Sequence, residues 1–222
     1  MKETIKQVAF VITTDGNDIH SYMTQVAVAS LKQTNPTAKT TVCLDRHSYD
    51  KLENKTDRLL SVIDEFVIAD INSSLPKSQI NRSIKTNLLK YVKPPVLFMD
   101  SDVLIRGDLS PIFEIKEDIS LAFNNNMPLG KEGIWTEDKQ VFDLMNWPYP
   151  AEYYNGGVIF FNDTSRAHEF SNQWYVAWSD TSKTTGAYRD QPSLNYVLSQ
   201  TEANVKRLED RFNNQFRVGL GV

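Results

Sequence analysis

The residues best suited to chemistry in this chain are Asp100 and Asp102, one residue apart in Asp100-Ser101-Asp102. They close the apolar run Pro95-Val96-Leu97-Phe98-Met99 and precede a second one, Val103-Leu104-Ile105. Ionised carboxylates at the end of a buried strand are costly to desolvate unless paired or metal-bound. A hard divalent cation carrying a polyphosphate suits them, because Mg²⁺ usually takes one or two carboxylates plus substrate phosphates. The competing reading is a turn in which Asp100 caps a local backbone group. Arg82 and Lys85 lie three apart on one helix face. They can clamp phosphates or these carboxylates, or form only a solvated basic edge. Asn155-Gly156-Gly157 opens another apolar run. Paired glycines there mark a bulge or tight turn, or let a substrate approach the backbone. Asp190-Gln191-Pro192 starts a helix, with Asp190 as its N-cap and Gln191 placed to face a ligand.

The elements that must position these groups alternate. Val8-Ala9-Phe10-Val11-Ile12 is continuously apolar, as in a strand buried on both faces. A helix is predicted over 19–32, with Met23, Val26, Ala27 and Leu31 as its inward stripe. A strand follows at 40–44, a helical stretch to about 62, a strand at 65–68 and a helix at 81–92. Ile84, Leu88 and Tyr91 of that last helix face inward, and the aspartate strand comes next. Strands alternating with helices predict an α/β fold, with a mostly parallel central sheet flanked by helices. Ligands bind such sheets beyond the carboxyl ends of the strands, where Thr13 to Asp15, Asp45 and Asp100 to Asp102 all lie. The second half reads as strands at 120–123 and 157–161 and helices at 136–145, 165–178 and 191–199. The aromatic, proline-rich stretch over 127–154 fits a lid or acceptor wall. Trp135, Trp147, Tyr149 and Tyr153 either stack on a ligand or pack in a core.

Composition limits the alternatives. At 222 residues the chain forms one large domain or a tightly joined pair. A net charge of -4 argues against a general nucleic-acid surface. Cys43, the one cysteine, sits in an apolar run and is a structural thiol. No apolar stretch approaches the roughly 20 residues of a membrane span, and the N-terminus lacks the apolar core of a signal peptide. The expectation is a soluble protein of a reducing, cytoplasmic compartment. His20, His47 and His168 are not spaced as ligands and read as surface or satisfied residues.

In order along the chain, Thr13-Thr14-Asp15, Arg82 with Lys85, Leu97-Phe98-Met99-Asp100-Ser101-Asp102, Tyr154-Asn155-Gly156-Gly157 and Asp190-Gln191-Pro192 resemble the GT-A fold nucleotide-sugar glycosyltransferases. The group resembled most is glycosyltransferase family 8, with glycogenin-like and galactosyltransferase-like members. The resemblance implies the Rossmann-like nucleotide-diphospho-sugar transferase fold. It implies one domain over 1–222, with a nucleotide-binding half at 1–105 and a donor-sugar and acceptor half at 106–222. Asp100 and Asp102 would hold Mn²⁺ or Mg²⁺ against the diphosphate of a sugar nucleotide, UDP-linked in most of the group, with Ser101 alongside. Thr13 and Asp15 would contact the nucleoside, and Arg82 and Lys85 the phosphates or donor sugar. Asn155 and Gly156 would line the donor or acceptor site. Asp190 and Gln191 would lie beside the anomeric centre of a reaction that retains configuration, with a glycan, lipid or protein hydroxyl as acceptor. Similar enzymes often carry a late metal-binding histidine, whereas this chain has none after His168 and closes on Gly219-Leu220-Gly221-Val222. Either the sequence stops short or water and groups such as Asn213, Asn214 or Gln215 complete the shell. The competing functions are a sugar-nucleotide-binding protein without turnover and a sugar-phosphate nucleotidyltransferase. The latter's glycine-rich signature is missing from Thr13-Thr14-Asp15-Gly16-Asn17.

Overall fold

The computed structural model describes residues 6–53, 60–72, 74–124, 134 and 136–215. Its strands are β1 (Gln7–Val11), β2 (Lys39–Asp45), β3 (Glu65–Ala69), β4 (Val96–Met99), β5 (Ile119–Phe123), β6 (Tyr154–Phe161) and β7 (Val205–Arg207). They form one sheet in the order β3-β2-β1-β4-β6-β5-β7. β3, β2, β1 and β4 run parallel, as do β5 and β7. β6 is antiparallel to both β4 and β5. The sheet is therefore mostly parallel, as the alternating pattern predicts.

Among the described residues the helices are α1 (Ile19–Thr34), α2 (Arg46–Glu53), α3 (Lys77–Thr86), α4 (Ser110–Phe113), α5 (Thr136–Leu144), α6 (Ser165–Thr185) and α7 (Gln191–Gln200), with short 3₁₀ turns. The apolar run of β1 has its physical reason here. Val8, Phe10 and Ile12 pack on the side that carries Ala27, Val28 and Leu31 of α1. Ala9 and Val11 pack on the side that carries Ile80 and Ile84 of α3 and Phe170 and Trp174 of α6. With both faces covered, Val8 to Val11 are all buried and all apolar. Cys43 is fully buried in β2, and burial pushes its thiol up to about 12, so it is an inert packing group.

Several sequence expectations are corrected. The inward stripe of α1 is Thr24, Ala27, Val28 and Leu31, while Met23 and Val26 are exposed. The helix predicted over 81–92 begins four residues earlier and ends at Thr86, followed by a 3₁₀ turn at Leu88–Lys90. β6 begins at Tyr154 instead of Gly157. The three-residue β7 gave no signal in the sequence; Asp118 draws it in by accepting from the backbone and side-chain amides of Asn204.

Candidate active site

The antiparallel course of β6 builds the site. β4 ends, and β6 begins, on the same edge of the sheet. Met99 lies opposite Val158, and the Asp100 N–H donates to the Gly157 carbonyl at 2.8 Å. Asn155-Gly156-Gly157 is thereby set against the aspartate pair. A parallel β6 would have delivered these residues to the opposite edge.

Four charged groups join in a chain here, Arg82 and Lys85 from α3, Asp190 from the start of α7 and Asp100 from the end of β4. Lys85 of α3 is buried, with its Nζ 3.1 Å from Asp100 Oδ1 and 2.9 Å from Asp190 Oδ2. Arg82, one turn earlier, places Nε 2.9 Å from the other oxygen of Asp190. Phe98 of β4 lies under Lys85, its ring centroid 5.2 Å from Nζ. Asp190 is thus not the side-chain N-cap that its position suggests. No cap bond forms from its carboxylate, which is committed to the two cations, and its backbone carbonyl instead accepts from Leu194 N–H and Ser193 Oγ. Burial alone would raise the Asp190 carboxyl, but the attraction of Lys85 and Arg82 overrides it and brings the pKa down to about 2. Asp100 moves the other way. Desolvation raises it, Lys85 opposes this, and the neighbouring Asp190 carboxylate adds to the rise. Its side chain keeps 36% exposure toward the cleft, so water or a bound cation can moderate that shift. Asp102 is exposed and makes no ion pair or hydrogen bond among the described residues.

The glycines are present because there is no space for side chains. A Cβ at Gly157 would lie 2.9 Å from Asn155 Oδ1 and 3.2 Å from Asp100 Oδ2. At Gly156 it would meet Leu194 at 3.2 Å and come within 3.7 Å of both Lys85 Nζ and Asp190 Oδ2. Gly157→Ala is expected to cut catalytic turnover about tenfold or more by displacing Asn155 and Asp100. A melting temperature near wild type alongside that loss would locate the effect in the site, and wild-type turnover would refute it.

Asn155 is oriented by two donors, since its Oδ1 accepts from Gly157 N–H at 2.8 Å and from Asn213 Nδ2 at 2.9 Å. Gln191 Oε1 faces the same turn, 3.4 Å from the Gly156 nitrogen. Asn195 locks the two segments together, accepting from Tyr154 N–H at 2.6 Å and donating to the Tyr154 and Gln191 carbonyls.

A cleft of about 660 Å³ opens beside this chain of charges, and Thr13, Asp15, Arg82, Asp100, Ser101 and Asp102 line it. Lys85, Asn155, Gly156, Asp190 and Gln191 gather behind its Arg82–Asp100 wall. Asp15 sits at the rim, paired with Lys77 and with His47 at 3.3 Å. Hydrogen bonds from those two side chains lower its carboxyl. Asp45, placed at the ligand edge by the sequence, is buried instead. It accepts from Ser48 Oγ, which in turn accepts from Thr14 N–H at 2.9 Å, so it braces the Thr13–Asp15 loop. The aromatic residues are occupied by packing: Trp147 stacks on Tyr196 at 4.1 Å, Tyr149 stacks on Phe142, and Tyr153 bonds Asp138. Trp135 and 216–222 lie outside the described residues. Of the late amides, Asn213 reaches Asn155, while Gln215 Nε2 donates to the Phe123 carbonyl at 2.9 Å.

Sequence reasoning missed Lys77, Asn81 and Tyr188 on the cleft wall and gave no role to Asn195 or Asp138; it named Asn213, but as a metal-shell group and not as the partner of Asn155. Only Asn195 carried a signal, lying one helical turn beyond Gln191 and so on the same face.

Solved structures with this architecture are glycosyltransferases. The glycosyltransferase GlyE of Streptococcus pneumoniae TIGR4 superposes with a TM-score of 0.59 at 19% identity, covering 96% of this chain and 47% of that one. The mannosyltransferase Ktr4p of S. cerevisiae superposes with a TM-score of 0.52 at 10% identity, over 91% of this chain and 68% of that one. The chain spans about half the length of the GlyE chain. No curated protein matches it. The fold is therefore that of the GT-A glycosyltransferases. Within that class the chain belongs to glycosyl transferase family 8, whose profile matches residues 11–219.

Proposed function

We propose that this glycosyltransferase moves a sugar from a UDP-linked donor to a hydroxyl acceptor, with retention of configuration and with Mn²⁺ or Mg²⁺ as cofactor. On this reading 1–222 is one catalytic domain, with the nucleotide held by 1–105 and the sugar and acceptor by 106–222. The carrying observation is Lys85, which bridges Asp100 at 3.1 Å and Asp190 at 2.9 Å and so couples the diphosphate end of the site to the sugar end.

The carboxylates of Asp100 and Asp102 suit a hard cation. Among the described residues no group of three or more His, Cys, Asp or Glu is gathered as a ligand set. A cation held by this pair would fill its remaining positions with phosphate oxygens and water, as Mg²⁺ ordinarily does. When bound, it supplies charge stabilisation to the departing diphosphate. The protein's own groups do the rest. Thr13 and Asp15 at the rim would take the nucleoside, with Ser101 beside the diphosphate. Arg82 and Lys85 place fixed positive charge where the diphosphate accumulates negative charge. Asp190, with a pKa near 2, is a poor proton acceptor but a permanent anion, suited to stabilising positive charge on the sugar ring. Asn155, with its oxygen occupied by two donors, presents its amide N–H₂ to the sugar. Gln191, beside Gly156, would face the anomeric centre with its carboxamide.

A binding and hydrolysis screen of several sugar nucleotides with and without Mn²⁺ tests this reading. At least one donor is expected to bind more tightly with metal and to be hydrolysed slowly without acceptor. Failure of every donor to bind in a metal-dependent way would overturn it.

A further inference from the structure

Asp138 lies in α5, apart from the chain of charges at the cleft, and its side chain is fully buried. A buried carboxylate needs paired or hydrogen-bonded partners. Asp138 has two, one on each side. Its Oδ1 meets Arg189 Nε at 2.5 Å, and its Oδ2 accepts from the Tyr153 hydroxyl at 2.7 Å. Arg189 immediately precedes Asp190 and Gln191. Tyr153 immediately precedes Tyr154, Asn155 and Gly156. One carboxylate therefore holds both segments that carry the sugar-facing groups. Elsewhere in the 188–190 segment the Asp190 carboxylate pairs with Lys85 and Arg82, while Trp178 Nε1 donates to the Tyr188 carbonyl and Trp174 Nε1 to that of Asp190. The two indole bonds hold the main chain and leave the Arg189 side chain to Asp138.

We propose that Asp138 is a positioning residue for sugar transfer, a clasp that sets Asp190–Gln191 against Asn155–Gly156 through Arg189 and Tyr153. This rests on reading those four residues as sugar-facing. Asp138 touches none of them, so its effect should fall on turnover more than on donor affinity, which the Asp100–Asp102 side of the cleft governs. Asn195 still ties Tyr154 to Gln191 when the clasp is cut, so the fold should survive.

The test uses the full chain with Asp138→Asn, Arg189→Gln, the double variant and Tyr153→Phe. Asp138→Asn and Arg189→Gln should each lower kcat about tenfold with donor KM within about threefold of wild type. The double variant should be no worse than the poorer single, because both cut one contact. Tyr153→Phe, which keeps the ring, should lower kcat about threefold and stands in if Asp138→Asn does not fold. Hydrogen exchange of the metal-free variants should quicken at 153–157 and 189–195. Wild-type kcat in the variants, or additive losses in the double, overturns the clasp. If the wild-type protein turns over no donor, the donor reading fails separately and exchange alone decides. Faster exchange in both segments then supports the clasp, and unchanged exchange in either overturns it.

Discussion

Replacing Lys85 with methionine is expected to destabilise the protein by about 3–5 kcal/mol, because it leaves the buried Asp190 and the partly exposed Asp100 without their shared cation. For a chain of this size that corresponds to a fall in melting temperature of roughly 10 °C. Methionine keeps most of the aliphatic stem that packs over Phe98, so the loss reports charge and not volume. Turnover is expected to fall about a hundredfold or more, since a fixed charge at the departing diphosphate is lost. The pH dependence supplies a sharper check. In the native protein Asp190 titrates near 2, below an unfolded carboxylate. It therefore contributes stability that is present above about pH 4 and is lost as pH falls toward 2. Without Lys85 the Asp190 carboxyl rises, and Asp100, already raised by desolvation, rises further. Their burial then costs most at neutral pH and less as they take up protons. The gap in melting temperature between wild type and Lys85→Met should narrow from pH 7 to pH 4. A gap that stays constant or widens would show that Lys85 contributes by packing alone.

This chain of charges also marks where the sequence was legible. Runs such as Val8–Ile12 and Val96–Met99 announce strands covered on both faces, because a doubly covered strand has no exposed position to fill with a polar residue. Arg82 and Lys85 share a face by helical geometry alone, so their joint action could be anticipated even though their helix starts at Lys77. Asp190 shows the limit. Local rules make it an N-cap, but a partner about a hundred residues away outbids the local backbone amides for its carboxylate. The contacts of Asp138, Asn213 and Lys77 were invisible for the same reason. Each meets its partner across 51, 58 or 62 residues of chain, through contacts that only the folded sheet creates. The direction of β6 was decisive and unreadable. Pairing direction is set by the connection between strands, and nothing within Tyr154–Phe161 encodes it.

Asp100 and Asp102 share a motif but not an environment, so their substitutions are expected to separate stability from metal binding. Asp102 is exposed and unpaired among the described residues, and Asp102→Asn should shift the metal-free melting temperature by no more than about 2 °C. Desolvation raises the Asp100 carboxyl, Lys85 opposes this, and the Asp190 carboxylate adds to the rise. Replacing Asp100 with the neutral isostere removes that conflict, so Asp100→Asn should leave the metal-free protein as stable as wild type or more so. This is the opposite sign from Lys85→Met, although both break the same 3.1 Å contact. Both aspartate variants should nevertheless lose metal-dependent donor binding, because a cation with only two protein carboxylates depends on each of them. The measurement is the thermal shift produced by Mn²⁺ with UDP. At a hundred times the dissociation constant, binding stabilises by about 2.7 kcal/mol, a shift of several degrees in wild type. That shift should vanish in both variants. Its survival at full size in Asp102→Asn would place the cation elsewhere, and a large destabilisation in Asp100→Asn would mean that Asp100 is a structural anion whose value lies in holding Lys85.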